Sequence, residues 1–432
     1  MNEKSLMIEE SLGAFTLDIP GMDNDWVMPH YGGLSILNLP GSICDFLNVP
    51  KFGYAPLDSR LTSALNGSFE KVIVLLVDAL GYGLFNQLIE SDPDLLWAKY
   101  ADKAIKMPLT SVCPSTTASV LTSFWTGQAP ASHGIIGYEM WAKEYGMVIN
   151  NILHSPASMR GDIGGLRRAG FDPKAFMSRP VFGEYLADHG INCTAYIHAS
   201  IANSGLSSMH MTGVRIQPFL DEADLCTTLA DHLNSRPGVK EFIYIYYSDV
   251  DTLMHRFTAD DIRIELQFNA FSSLFDLGFY RRLTKRAARD TLLVLTADHG
   301  AKNTPFYKHY ELANHPKLMD CLVMQPTCEN RLAFLYIKPG RVGDVRDYFH
   351  KAWPDQFVLI EPELTLDKGL FGSTPFDPRT RERLGDLIVI TKNDAYLWWA
   401  PKQNLMAGRH GGLSSDEMLV PFYALPLAEI IK

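Results

Sequence analysis

Four short apolar runs recur along the chain, and each of them ends at small or polar residues. Polar and apolar positions hardly alternate within the runs, which is typical of strands buried on both faces of a parallel sheet. The runs and the segments after them are Val72–Val77 before Asp78, Cys193–Ile197 before His198, Phe242–Tyr247 before Ser248–Asp251, and Leu292–Leu295 before Thr296–His299. Because functional residues of such sheets gather past the carboxyl ends of the strands, we expect these polar segments along one edge.

Helical patterns lie between the runs, most clearly in residues 261–289. There Ile264, Phe268, Phe271 and Phe275 follow a spacing of i, i+4, i+7 and i+11, which places them on one helix face. Strands that alternate with helices predict an α/β fold, with a doubly wound, mostly parallel central sheet and helices on both faces.

Residues 331–400 show a different pattern, which predicts a small β-rich subregion. We expect strands over Leu332–Ile337 and Phe357–Ile360, a short helix over Val345–His350, and a hairpin that joins Leu387–Ile390 to Ala395–Trp399 across Thr391–Asp394. No linker or repeat divides the chain. We therefore expect one catalytic domain over residues 1–432, with 1–70 as an N-terminal extension and 331–400 as an inserted subregion.

The composition is that of a globular enzyme, with 47% hydrophobic and 20% charged residues. The formal net charge is −10 and no Lys/Arg run occurs, so we expect no nucleic-acid polymer as a partner. Met1–Leu12 lacks the apolar region of a secretory signal, and Val72–Leu84 is too short to span a bilayer. The six cysteines contain no CxxC pair and are expected to be buried thiols. These features favour a cytoplasmic protein without membrane contact.

Two segments carry a candidate carboxylate and a candidate nucleophile. Asp78 ends the first apolar run ahead of Gly81 and Gly83, although an Asp there also suits a helix cap or a turn. Thr117 follows a Pro and several hydroxyl residues and leads into an apolar run, which places it near a helix N-terminus. Such an end offers N–H groups and a favourable dipole to an anion. The alternative is simple N-capping by Ser115 or Thr116.

Three further segments carry Asp and His side chains. Asp251 and His255 are four residues apart, so one helix turn can aim both at a metal, whereas Asp249 is a competing carboxylate without that spacing. Asp298 and His299 are adjacent, and Gly300 permits the sharp turn that would aim both at one ion. His410 precedes two glycines, where a solvated loop is the alternative.

Together these segments contain three Asp, three His and one Thr, which are Asp78, Thr117, Asp251, His255, Asp298, His299 and His410. This mixed oxygen and nitrogen set suits Zn²⁺, or Mn²⁺ as second choice, and is large enough for two ions. A threonine hydroxyl is a poor nucleophile without metal coordination. Two ions about 3.5–4 Å apart can clamp the attacking and leaving oxygens of an in-line phosphoryl transfer. The set therefore predicts hydrolysis of a small phosphate ester through a phospho-threonine intermediate.

The order of these segments resembles the alkaline phosphatase superfamily, and in particular its nucleotide pyrophosphatase/phosphodiesterase (type I phosphodiesterase) branch. The resemblance covers residues from about 71 to 422. In that branch the nucleophilic Thr lies three residues after a Pro and ten before the Gly of a Thr-Gly pair, and Pro114, Thr117 and Gly127 keep those offsets. The segment around His133 is similar as well, with His133 expected to be structural.

Carried over by position, the resemblance implies two metal sites. One ion would be held by Asp78, Thr117, Asp298 and His299, and the other by Asp251, His255 and His410. Two departures concern the substrate. The family's nucleotide hydrolases have an aromatic residue directly after the nucleophile and an Asn three residues after it, where this chain has Ala118 and Val120. The oxyanion would then be met by backbone N–H groups, a metal or another side chain.

Several alternatives remain open at this point. A phosphomonoesterase or a phosphonate hydrolase would use the same scaffold. No Arg or Lys closely flanks Thr117 to hold the extra charge of a monoester, which favours hydrolysis of phosphodiester or pyrophosphate bonds. A sulfatase is disfavoured because Cys113-Pro114-Ser115 lacks the spacing and the Arg of that family's motif. A related phosphoglycerate mutase would have a Ser nucleophile and a large insertion. From another class, the chain could be a metal-binding protein without turnover. The aromatic residues Tyr138, Trp141 and Tyr145 fit either core packing or a pocket wall.

Overall fold

A seven-stranded sheet forms the centre of the molecule, in a computed structural model that describes residues 3–23, 25–65, 68–159 and 162–429. The strands of the described residues are β1 (Lys71–Val77), β2 (Ile105–Thr110), β3 (Glu139–Ala142), β4 (Met147–Asn150), β5 (Ser155–Pro156), β6 (Asn192–His198), β7 (Arg215–Phe219), β8 (Glu241–Tyr247), β9 (Thr291–Thr296), β10 (Lys302–Asn303), β11 (Thr327–Cys328), β12 (Leu332–Leu335), β13 (Phe357–Ile360), β14 (Leu387–Thr391), β15 (Gly408–Arg409) and β16 (Leu419–Pro426).

The central sheet has the strand order β2-β16-β9-β1-β8-β6-β7. Strands β9, β1, β8, β6 and β7 pair in parallel, while β16 runs antiparallel between β2 and β9. Each of the four apolar runs lies within one of these strands, and all of β1 and β9 is buried. The predicted α/β fold with a mostly parallel central sheet is therefore confirmed.

Short helices connect and cover the strands. The α-helices are α1 (Glu3–Ala14), α2 (Leu39–Leu47), α3 (Ser59–Thr62), α4 (Tyr82–Ser91), α5 (Leu96–Lys99), α6 (Thr117–Thr126), α7 (Pro130–His133), α8 (Gly165–Arg168), α9 (Pro173–Phe176), α10 (Phe182–Asp188), α11 (Gly205–His210), α12 (Glu222–Ser235), α13 (Asp249–Arg256), α14 (Ile262–Leu274), α15 (Lys285–Ala288), α16 (Pro316–Met319), α17 (Val342–Ala352), α18 (Pro362–Asp367), α19 (Thr380–Arg383) and α20 (Ser415–Met418). The four-residue apolar stripe of 261–289 is fully buried, on α14 and the π-helical turn Phe275–Phe279 that continues it.

A second, antiparallel sheet has the order β13-β14-β12-β11-β3-β4-β5. It confirms the β-rich subregion but extends it, because residues 139–156 contribute three of its strands. The predicted hairpin is wrong: β14 pairs with β12 and β13, and residues 395–399 form no strand. Those residues are apolar because they fill a second hydrophobic core, which includes Tyr396, Leu397 and Trp398.

The described part of residues 1–70 packs onto the central sheet and its surroundings. Ile8 and Leu12 of α1 are buried in the main core. Ser35 bridges to Thr110 at the end of β2, and Trp26 bridges to Ser414 near the C-terminus. All six cysteines are buried thiols, as predicted. Among the described helices, none has both the length and the apolarity needed to cross a bilayer.

Candidate active site

Asp78 and Asp298 lie side by side because the strands that precede them are neighbours. Leu76 of β1 is in register with Thr296 of β9, so both carboxylates follow at the same sheet edge. The Asp298 Oδ1 atom accepts hydrogen bonds from the backbone N–H groups of Ala79 (3.2 Å) and His299 (3.0 Å). Ala79 has a φ of +62°, which turns the chain sharply after Asp78. Both carboxylates are thereby fixed at the end of the parallel strands.

Gly300 is required for the turn after His299, for a reason of space. A Cβ atom at this position would lie 2.0 Å from the carbonyl oxygen of Asp416, which no side chain can tolerate. The turn brings the His299 Nε2 atom 3.5 Å from an oxygen of Asp78 and 3.5 Å from an oxygen of Asp298. Gly300 therefore permits the turn, as predicted, because the backbone of Asp416 leaves no room for a side chain there.

Thr117 is the first residue of helix α6, and its side chain lies beside His299. Its Oγ1 atom lies 3.2 Å from His299 Nε2. Thr116 occupies the N-cap position with an extended backbone but forms no side-chain cap. Its hydroxyl instead donates to Glu329 Oε1 over 2.6 Å. Simple N-capping therefore does not explain these hydroxyl residues.

The remaining predicted residues come together beside Thr117. On α13, His255 Nε2 lies 3.4 Å from Asp251 Oδ1, as their four-residue spacing predicts. His410 Nε2 lies 3.9 Å from the same oxygen, and its ring stacks on His299 with the centroids 3.8 Å apart. The competing carboxylate, Asp249, lies outside this cluster. It is exposed and near Gln267.

The donor set fits divalent metal ions. Two groups have ligand atoms within 4.8 Å of one another, namely Asp78, Asp298 and His299, and Asp251, His299 and His410. One buried oxygen of each of the three aspartates has no hydrogen-bond partner among the described residues. A buried carboxylate oxygen without a partner is costly, and a cation between the groups would satisfy all three.

The histidines are oriented as metal ligands usually are. The Nδ1 atoms of His255, His299 and His410 lie 3.0, 2.9 and 3.2 Å from the backbone carbonyls of Gly408, Gly300 and Ser115. A carbonyl can only accept, so each Nδ1 carries the proton and each Nε2 keeps its lone pair. In all three rings that Nε2 is the atom nearest to an aspartate of the cluster.

The electrostatics of the cluster also call for positive charge. Burial, together with the nearby Asp298 and Asp251 carboxylates, raises the pKa of Asp78 well above its ordinary value. Burial and the neighbouring His299 and His255 rings lower the pKa of His410 well below its ordinary value. A neutral imidazole can bind a divalent cation through its free nitrogen. A cation would also relieve the repulsion between the crowded carboxylates and so favour their ionised form.

Sequence reasoning missed three supports of this site. Tyr246 donates a hydrogen bond to Asp78 Oδ2, from a strand whose pairing with β1 no motif indicates. Glu329 accepts from Thr116, and burial, followed by its Glu139 and Asp251 neighbours, raises its pKa to about 8. Ser115 tethers the glycines after His410: it accepts from Gly411 N–H and donates to the Gly412 carbonyl. The sequence shows the Pro-Ser-Thr-Thr and His-Gly-Gly motifs separately, but it does not show that they are in contact.

A cavity of about 330 Å³ opens over the cluster and is lined by Thr117, Asp251, His255 and His410. Of the three candidate aromatic residues, Tyr138 lines it, whereas Trp141 and Tyr145 do not. Tyr145 is 40% exposed and packs on Phe171 and Phe176.

His133 lies behind helix α6. Its Nδ1 accepts from the N–H of Ile135 (3.0 Å), and its Nε2 contacts Ser123 Oγ (3.0 Å), so both nitrogens are used within the protein. This agrees with the structural role expected for it.

The fold and this sheet edge define a hydrolase of the alkaline phosphatase superfamily. Within it, the chain belongs to the type I phosphodiesterase/nucleotide pyrophosphatase family, whose model matches residues 72–413. No curated protein matches the chain.

Solved structures share the fold at low sequence identity. Murine ectonucleotide pyrophosphatase/phosphodiesterase 5, solved as an inactive variant in complex with AMP, is 14% identical with a TM-score of 0.60, over 82% of this chain and 87% of that one. Phosphonoacetate hydrolase from Sinorhizobium meliloti, in complex with phosphonoformate, is 16% identical with a TM-score of 0.57, over 82% of this chain and 89% of that one.

Proposed function

We propose that the protein hydrolyses phosphodiester or pyrophosphate bonds of small molecules with two divalent metal ions, and that Thr117 is the nucleophile. The proposal is carried by one observation: the Thr117 hydroxyl, at a helix N-terminus, lies 3.2 Å from His299 within a cluster of aspartate oxygens that lack partners. Membership of the phosphodiesterase family supports the same reaction class.

The ligand assignment follows from position. Asp78, Thr117, Asp298 and His299 would hold one ion, and Asp251, His255 and His410 the other. The mixed carboxylate and imidazole donors favour zinc, with manganese as second choice. When bound, the ions would supply charge neutralisation and a lowered pKa for the attacking hydroxyl. Because His299 is close to both groups, its replacement should disturb both ions.

The protein's own groups would orient the phosphoryl group. Helix α6 begins at Thr117, so its first N–H groups have no intrahelical acceptor and can donate to phosphoryl oxygens. Val120 is fully buried and cannot take the place of the family's Asn. We therefore assign oxyanion stabilisation to the backbone at the start of α6 and to the metals.

The reaction would proceed in two displacements. First, Thr117 Oγ1 bonds to phosphorus, the P–O bond to the leaving group breaks, and the hydroxyl proton ends on the leaving alcohol of a diester or the leaving phosphate of a pyrophosphate. Then the oxygen of a water molecule bonds to phosphorus and the bond to Thr117 breaks. One proton of the water returns to Thr117 Oγ1, and phosphate or its monoester departs. Both displacements depend mainly on positioning of the reacting groups and on charge neutralisation at the phosphoryl oxygens.

The test uses metal-stripped protein to which Zn²⁺ or Mn²⁺ is restored separately. Hydrolysis of bis-p-nitrophenyl phosphate is compared with that of p-nitrophenyl phosphate, in wild type, Thr117→Ala and Ser119→Ala. Ser119 is a matched control, because it is a buried hydroxyl on the same helix without a partner among the described residues. We expect metal-dependent activity that favours the diester and is lost only in Thr117→Ala. Preference for the monoester would make the protein a phosphatase, and absence of turnover with two bound metals would contradict the proposal.

Phosphonate hydrolysis is the second candidate, favoured by the fold shared with phosphonoacetate hydrolase. Release of phosphate from phosphonoacetate under the same conditions would establish it. We also propose a cytoplasmic location, where a reducing environment would keep the six buried cysteines as thiols. Recovery of the native protein outside the cytoplasm in cell fractionation would contradict that assignment.

A further inference from the structure

The helix that carries Thr117 offers neither a ring nor a cation to a substrate, but a distant segment supplies both. Ala118 follows the nucleophile and is fully buried. In contrast, Trp398, Trp399 and Lys402 line the cavity over the metal cluster, which we call the metal-edge cavity. They belong to residues 398–402, more than 280 positions from Thr117 along the chain.

A second cavity, the side cavity, adjoins the metal-edge cavity. Its volume is about 610 Å³, against about 330 Å³ for the metal-edge cavity. The two share four wall residues, which are Glu139, Trp399, Ala400 and Lys402. Because these residues line both cavities, a molecule anchored at Thr117 can reach the side cavity by extending past this shared wall.

The lining of the side cavity suits an organic group more than a further phosphate. Beyond the shared wall it is largely apolar, with Met147, Val148, Ala157, Pro326 and Pro401, and Ser158 and Gln325 add hydrogen-bonding capacity. Ligand sites of this kind bury rings against apolar side chains and use a few polar groups for orientation.

Trp399 provides a fixed aromatic surface at the junction of the cavities. Its indole N–H donates to Glu139 Oε2 over 3.2 Å, and the side chain is only 8% exposed. A ring held in this way loses little freedom when a planar group stacks on it.

Lys402 provides the positive charge at the same junction. The indole N–H of the neighbouring Trp398 donates to the Lys402 carbonyl over 3.0 Å, which fixes the backbone there. The Lys402 side chain is exposed, and its ammonium forms no ion pair or hydrogen bond with the described residues. Lys402 lines both cavities, so it would meet an anionic group between the phosphorus and the ring.

We propose that residues 398–402 form the substrate-recognition subsite, which binds a phosphodiester or pyrophosphate that carries a planar ring and a second negative charge. The ring stacks on Trp399 in the side cavity and the second charge pairs with Lys402. This subsite rests on the proposed function, because the reacting phosphorus is taken to lie at Thr117.

The test measures binding of three non-hydrolysable probes to the zinc-loaded protein by calorimetry. Methylphosphonate has neither feature, phenylphosphonate adds a ring, and the monophenyl ester of methylenediphosphonate adds a ring and a second charge. We expect affinity to rise in that order. Trp399→Ala should weaken both ring-bearing probes about tenfold and leave methylphosphonate unchanged. Lys402→Ala should weaken only the diphosphonate, by about fivefold.

Further variants distinguish the loss of a specific contact from a general loss of folded structure. Ala400→Trp fills the shared wall while Trp399 stays in place, and it should weaken the ring-bearing probes alone. Tyr145→Ala and Lys143→Ala remove an exposed ring and an exposed lysine outside both cavities, and neither should change any affinity. The subsite is overturned if Trp399→Ala and Ala400→Trp weaken all three probes equally, or if Lys402→Ala does not distinguish the two ring-bearing probes.

The outcome is separable from that of the proposed function. Selective binding of the probes without hydrolysis of any diester would keep the subsite and remove the proposed reaction. Metal-dependent hydrolysis without probe selectivity would keep the reaction and remove the subsite.

Discussion

Two sets of three histidines differ in what their ring nitrogens meet. The site histidines are His255, His299 and His410, and the packing histidines are His133, His154 and His210. Each site histidine directs Nδ1 to a backbone carbonyl and Nε2 toward an aspartate. The packing histidines contact hydroxyls, backbone N–H groups or nothing polar: His210 meets Thr122 Oγ1 at 3.0 Å, and neither nitrogen of His154 has a partner among the described residues.

The comparison shows that burial alone does not identify a ligand histidine. Burial lowers the pKa of His410, His133, His154 and His210 alike, so all four are neutral at pH 7. What separates the sets is the presence of crowded aspartate oxygens beside the free Nε2 lone pair. A neutral imidazole next to such oxygens is suited to bind a metal ion, whereas one against a hydroxyl or a phenyl ring is part of the core.

The largest difference is expected when one histidine of each set is replaced. His299→Gln should lower diester hydrolysis on the order of 10³-fold or more and reduce bound metal, because His299 contacts both ligand groups. His133→Gln should lower stability but keep the metal content of wild type. Elemental analysis of the purified variants, together with their hydrolysis rates, measures both effects. Equal metal loss in the two variants would remove the distinction between the sets.

Removal of the metal ions by chelation should lower the melting temperature of the protein. Without cations, Asp78, Asp251 and Asp298 repel one another, so the metal-free protein should melt several degrees lower. At metal concentrations about 1,000 times the Kd, binding stabilises a folded protein by about 4 kcal/mol. Thermal melts before and after addition of Zn²⁺ measure this. In Asp298→Asn the repulsion is weaker, so its metal-free form should melt above metal-free wild type. A melting temperature that does not change on chelation would contradict the metal assignment.

Tyr246→Phe should weaken the site without removing a ligand. The Tyr246 hydroxyl orients Asp78, and loss of such a support typically costs about 10–100-fold in metal affinity or activity. Tyr244, two residues earlier on β8 and on the same strand face, is the matched control. Titration of the metal-free variants with Zn²⁺ compares them. An equal loss of zinc affinity in Tyr244→Phe would contradict the role assigned to Tyr246.

The smallest expected effect concerns the pH dependence of stability. Burial lowers the pKa of His154 to about 4, from an ordinary value of 6.5. The folded state therefore binds this proton less readily than the unfolded state, and stability is lost as the pH falls from about 6.5 to about 4. Between pH 7.5 and 5.5 this linkage amounts to about 1 kcal/mol.

His154→Asn should remove that part of the pH dependence, measured by denaturant unfolding at the two pH values. Asn also tolerates the positive φ of +48° at this position. An unchanged difference between the two pH values would show that His154 is not the acid-sensitive group.

The sequence predicts most of the site because its ligands follow local rules. Asp78, Asp251 and Asp298 each follow an apolar run, and parallel strands end at one edge. The one-turn spacing of Asp251 and His255 and the glycine after His299 complete the local information. Tyr246 could not be predicted, because its contact depends on which strands are neighbours in the sheet.

The residues that line the cavities were harder to predict from the sequence. Glu329 and Lys402 come from around the second sheet, far along the chain from Thr117, and no spacing links them to it. The mistaken hairpin has a different cause. The apolar residues 395–399 match a strand pattern, but they are apolar because they fill the second core and line the cavity.

The central claim is that Thr117, held among the site histidines and aspartates, forms the covalent intermediate. It is tested most directly by acid-quenching the zinc-loaded protein during turnover of bis-p-nitrophenyl phosphate and mapping phosphorylated peptides by mass spectrometry. The account predicts a p-nitrophenyl phosphate ester on Thr117 in wild type and in His133→Gln, because only one p-nitrophenol leaves in the first displacement, and no such adduct in Thr117→Ala. The same adduct on Thr116 instead, or full turnover by Thr117→Ala, would contradict it.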